Sequence, residues 1–115
     1  MRKLERLMNM AITHKTDWSS SNTQVSFNSN TNCSQIYLHG HHIATFCHET
    51  RAVKIDSCGY QTRTTKGRLN AILEEVKYGC SVFQKNWDWF VNYNDQTTLF
   101  RDGMILLDAD SLITA

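Results

Sequence analysis

The hydrophobic period of this chain switches twice, from two to helical spacing and back, and that switch constrains its fold more than any other feature. From Gln24 the period is two: Val25 and Phe27 alternate with polar neighbours, Ile36, Tyr37 and Leu38 make a second strand, and Ile43 to Cys47 a third. Val53, Ile55 and Ser57 alternate with Lys54 and Asp56 in a fourth. Over about residues 64–77 the spacing turns helical, with Leu69, Ile72, Leu73 and Val76 on one narrow stripe. Val82-Phe83, Trp87 to Tyr93, Leu99-Phe100 and Met104 to Leu107 are strand-like again. There is no proline, so the turns fall to residues such as His39-Gly40 and Asn94-Asp95. This order predicts an α+β class: an antiparallel β-sheet, meander plus C-terminal hairpin, with one main α-helix on one face.

Upstream, Leu4, Leu7, Met8 and Ile12 approach helical spacing, so residues 1–16 form a short amphipathic helix or a partly ordered tail. Residues 13–23 are polar around Trp18 and predict a loop or an irregular edge. A single α+β domain then covers 17–107, and an acidic, loose tail covers 108–115. A length of 115 residues supports one core without staples. The net charge of +1 gives no global field toward nucleic acid, so an anion site must be local. No apolar run reaches the roughly 18 residues of a membrane span. The charged first turns have no apolar signal-peptide core, so a soluble intracellular protein is expected. The four cysteines, Cys33, Cys47, Cys58 and Cys80, have no C-x-x-C spacing and are read as small buried hydrophobes.

Three constellations invite chemistry. Around the helix start, Thr62, Thr64 and Thr65 supply hydroxyls, with Thr64 or Thr65 as the expected N-cap, and Arg63, Lys66 and Arg68 supply charge with no acid before Glu74. A helix N-terminus carries unpaired N–H groups and a positive dipole end, so cations there are unfavourable unless an anion such as phosphate joins them. The plainer account is a capped helix whose cations lie in solvent or pair with acids. Downstream, Trp87, Trp89 and Val91 would share one strand face, with Phe90 and Asn92 on the other, so an open face could stack a base. Core or oligomer interface is the plainer account. His39, His41, His42 and His48 resemble a metal set only by composition, and no zinc spacing is present. Without H-E-x-x-H, G-x-S-x-G, a P-loop or a dinucleotide loop, no enzyme and no cofactor are expected.

Three segments together resemble small accessory proteins of tailed bacteriophages, over about residues 17–105. They are Tyr37-Leu38-His39-Gly40 with Ile43-Ala44, then Gly59-Tyr60-Gln61-Thr62 with Thr64-Thr65-Lys66-Gly67-Arg68-Leu69-Asn70, and Trp89-Phe90-Val91 with Phe100-Arg101-Asp102-Gly103-Met104. More narrowly, the pattern is similar to the phage anti-Thoeris proteins, non-enzymatic oligomeric sponges for cyclic ADP-ribose isomers. That resemblance implies Arg63 or Arg68 and Arg101 on phosphates, Thr64 and Thr65 at the helix start, Phe90 or Trp89 stacking, and Asn92 in polar recognition. It also implies the host cytoplasm, a homo-oligomer and a cyclic nucleotide-type ligand. The competing expectations are a binder of a host protein or of single-stranded nucleic acid, and an assembly factor with no ligand.

Overall fold

The computed structural model describes residues 1–108. Of the tail expected over 108–115, only Asp108 falls within them. Helix α1 (Lys3–Thr13) leads into β1 (Trp18–Ser20), β2 (Thr23–Asn28), β3 (Cys33–Leu38), β4 (His41–Cys47) and β5 (Val53–Ile55). Helix α2 (Arg63–Val76) follows, then β6 (Ser81–Lys85), β7 (Asp88–Tyr93), β8 (Gln96–Leu99) and β9 (Met104–Leu106). The class is α+β, with every strand pair antiparallel. The C-terminal hairpin gains a third strand and becomes a sheet of its own, in the order β6-β7-β8. The six-stranded sheet runs β1-β2-β3-β4-β5-β9, so the last strand returns to the meander beside β5.

The helical stripe does what its spacing implies: Leu69, Ile72 and Leu73 are fully buried and Val76 nearly so. Burying each such side chain stabilises by about 1.5–3 kcal/mol. They meet Ile36, Ile43, Val53 and Ile55 from the large sheet and Val82, Trp89 and Val91 from the small one, in one continuous core. Helix α1 belongs to that core through Met8, Ala11 and Ile12 and packs against β1, β2 and α2. Its stripe was faint in the sequence because polar side chains do part of the packing. Asn9 donates to the Ala71 carbonyl at 3.0 Å. Glu5 accepts from the Arg68 guanidinium at 2.9 Å, with both groups largely out of solvent. Helix α2 is pinned to the small sheet by Asn70, which donates to the Val82 carbonyl and accepts from the Val82 N–H.

Local turns explain most deviations. The N-cap of α2 is Thr62 rather than Thr64 or Thr65: its hydroxyl accepts from the Thr65 N–H at 3.1 Å. Trp87 leaves the strand face expected for it and sits with Asn86 in the β6-β7 turn, both at positive φ (71° and 52°). That two-residue turn suits the twist of the hairpin but is uncommon for an aromatic. Asn94-Asp95 makes the equivalent turn between β7 and β8. Between β3 and β4 the register slips by one residue, from Ile36↔Ala44 to Tyr37↔His42. This bulge puts the consecutive Ile43 and Ala44 both out of solvent and re-aims Ile43, as bulges near sites commonly do.

Candidate functional site

The loop from Asp56 to Thr62 carries the chain from β5 into α2 and is tied down at each step. Ser57 donates its N–H and its hydroxyl to the Asp102 carboxylate at 2.8 and 2.7 Å. Cys58 donates its N–H to Asp56, and Gly59 turns the chain at φ +81°. The Tyr60 N–H donates to the Ser57 carbonyl, and the Thr62 N–H to the Tyr60 carbonyl. This places Tyr60 against His41, ring centroids 4.6 Å apart and tilted by 30°. His41 arrives from the two-residue turn His39-Gly40 that joins β3 to β4, where both residues have positive φ.

The hairpin tip, the loop and the first turn of α2 enclose a cavity of about 360 Å³. Leu38 and Ile43 give it an apolar floor, His39, His41 and Tyr60 a ring-lined side, and Ser57, Thr62, Thr64 and Thr65 hydroxyl groups. Its volume lies at the low end of small-molecule sites, about 300–1,000 Å³. Thr62 caps the Thr65 N–H and accepts the Lys66 N–H through its carbonyl, which leaves the Arg63 and Thr64 N–H groups without an acceptor inside the helix. No acid occupies that first turn. The end is thus electropositive and meets hydroxyls, two imidazoles and a phenol ring.

The residues singled out from the sequence divide among three places. Thr64 and Thr65 line the cavity. Arg63 is exposed and Lys66 half-buried on the same helical turn, outside the lining. Arg68 is turned away into the α1 contact, where it binds Glu5 and reaches Asn22 at 3.3 Å. Trp89 is 3% exposed and packs edge-on against Phe100, so its face is not open for stacking. Phe90 stacks on Phe83 on the outer side of the small sheet, and exposed Asn92 accepts from the Thr97 hydroxyl there. Arg101 is exposed in the link to β9. The helix start therefore borders the six-stranded sheet, whereas the aromatic hairpin belongs to the three-stranded one.

Among the described residues no three His, Cys, Asp or Glu side chains converge on one point. The histidines are dispersed: His39 and His41 face the cavity, His42 stacks on Tyr37, and His48 lies between Phe27 and Phe46 with its Nε2 2.9 Å from the Ser34 hydroxyl. Burial, then the Lys15 and Arg51 charges, hold the His48 pKa below its ordinary value. Burial and the Asp56 and Asp102 carboxylates raise the Cys58 thiol, which keeps it protonated and a poor nucleophile beside the loop. Nothing in the sequence marks Leu38, Ile43, Ser57 and Tyr60 as walls of one cavity. Only Gly59, a turn residue before the helix, hinted at the loop that brings them together.

No helix among the described residues is long and apolar enough to cross a membrane. No curated protein and no solved structure matches the chain. The family model described as Kyanoviridae Gp96 protein matches residues 1–107, from the start of α1 through the end of β9. The chain belongs to that family and is a phage protein.

Proposed function

We propose that this phage protein is a non-enzymatic binder that sequesters an anionic, nucleotide-type immune signal, a cyclic ADP-ribose isomer or a cyclic oligonucleotide, in the host cytoplasm. The observation that carries this reading is the cavity of about 360 Å³ set against an acid-free helix start. A phosphate at the free N–H groups of Arg63 and Thr64 would gain the helix dipole, typically about 0.3–1 kcal/mol, and up to about 2 kcal/mol where partly buried. Arg63 and Lys66 are within the same turn to add charge. Tyr60 and His41 offer an aromatic wall for a base or ribose. A signal larger than one nucleotide exceeds so small a cavity, which favours a site completed by a second copy.

Sequestration requires sub-micromolar affinity, roughly 8 kcal/mol or more. The test is calorimetric titration with cyclic ADP-ribose isomers and cyclic di- and trinucleotides, followed by chromatography of the ligand released on denaturation. Stoichiometric binding with the ligand recovered intact supports the reading. Absence of heat and of thermal shift across the panel defeats it, and a chemically altered ligand makes the protein an enzyme.

A second reading rests on the small sheet. Phe83, Phe90 and Leu99 lie opposite one another across β6, β7 and β8, and Trp87 is 89% exposed beside them. Such a stripe suits a host-protein partner, and less well single-stranded nucleic acid, since a broad basic face is lacking. Loss of a co-purifying host polypeptide in a Phe90→Ser Leu99→Ser variant, with nucleotide binding unchanged, would favour it.

A further inference from the structure

Cys33 opens β3 and Cys47 closes β4, and the register sets them directly opposite each other. The next pair outward, Asn32 and His48, is hydrogen-bonded through the His48 N–H and the Asn32 carbonyl at 3.0 Å. The cysteines therefore occupy a non-hydrogen-bonded position, where facing side chains come closest. Their sulfurs are 2.6 Å apart, and both are free thiols. Cys33 is almost wholly covered, whereas Cys47 is partly exposed, so a small molecule in solution reaches Cys47 first.

We infer that Cys33 and Cys47 form a reversible modification site, closing to a cross-strand disulfide by exchange with a low-molecular-weight disulfide such as oxidised glutathione. The Cys47 thiolate attacks one glutathione sulfur and expels a glutathione thiolate. The Cys33 thiolate then attacks the Cys47 sulfur of the mixed disulfide and expels the second. Two protein thiols lose two electrons in all, and their two protons end on the two glutathione thiols. Nothing in the strand pair has to move for the second step, because the partners already face each other across it. Burial and the neighbouring Cys33 thiol push Cys47 up to about 11, so Cys47 is protonated near neutrality and closure is slow there. Closure accelerates with pH, by roughly tenfold per unit. The covalent clamp lies at the open end of the hairpin whose tip carries Leu38, His39 and His41 into the cavity.

The sequence makes the test simple. No Lys or Arg lies between Lys15 and Arg51, so trypsin leaves Cys33 and Cys47 on one peptide, residues 16–51. The reduced full-length protein is incubated with oxidised glutathione at pH 7 and pH 9, denatured, alkylated with N-ethylmaleimide and digested. The expected peptide 16–51 is unalkylated and lighter by two hydrogens, it forms faster at pH 9, and Cys58 and Cys80 are alkylated. The oxidised protein should melt higher by about 10 °C, since the crosslink closes a loop of fourteen residues. In Cys33→Ser, Cys47 should instead keep glutathione or take the alkylating agent. At pH 9, peptide 16–51 carrying two alkyl groups or two glutathiones, or a link from either cysteine to Cys58 or Cys80, overturns the inference.

Discussion

At the start of α2 the six-stranded sheet leaves space, whereas the three-stranded sheet fills it. The loop before the helix is pinned by Asp56 and Asp102 and holds Tyr60 and His41 away from the core, so a cavity of about 360 Å³ remains over Leu38 and Ile43. In the small sheet, Trp89 is driven inward against Phe100, and Phe90 turns outward onto Phe83. Aromatic rings next to each other in sequence thus have opposite fates because alternate strand positions face opposite sides. The same division runs through the cations. Arg63 stays in solvent at the helix start, and Arg68 is consumed by the packing of α1. A cluster of attractive residue types becomes a site only where the backbone holds it off the core.

That contrast can be broken by substitution. The largest effect is expected for Trp89→Ala, which empties a core position and should cost about 3–5 kcal/mol in denaturant unfolding. Phe90→Ala, one residue away on the outer side, should cost roughly 1 kcal/mol or less. Equal losses would mean that both rings are core. Next comes Arg68→Met, which leaves the Glu5 carboxylate buried without its partner and should cost about 3 kcal/mol. Arg63→Ala should change stability by less than about 0.5 kcal/mol and act only on ligand binding. If Arg68→Met were neutral in unfolding and impaired only binding, the division of the cations would be wrong.

Smaller effects sharpen the local picture. Thr62→Ala removes the cap and should cost about 1 kcal/mol, whereas Thr64→Ala should leave the melting temperature within a degree or two. A larger loss from Thr64→Ala would move the cap back to one of the two positions expected from sequence, Thr64 or Thr65. The smallest effect is in pH dependence. The folded state lowers the His48 pKa, so between that value and the ordinary one near 6.5 the unfolded chain binds more protons. Stability should therefore fall as pH drops from about 7 through this window. Melting curves of His48→Gln should be flatter there, and an unchanged slope would assign the loss to another group.

The sequence by itself determined the α+β class, the helical stripe of α2, the hairpin turns at His39-Gly40 and Asn94-Asp95, and the strand runs apart from β1 and the placing of Trp87 and Phe100. These depend on local periodicity and turn chemistry, which neighbouring residues carry between them. Tertiary structure alone decided the split into two sheets, the return of β9 to β5, and the incorporation of α1 through Asn9, Glu5 and Arg68. It alone joined Leu38, Ile43, Ser57 and Tyr60 around the helix start and set Cys33 against Cys47. The physical reason is the same in each case. The buried ion pair joins residues 63 positions apart, and the bulge that re-aims Ile43 and sets Cys33 opposite Cys47 is a choice of register that packing against the core decides.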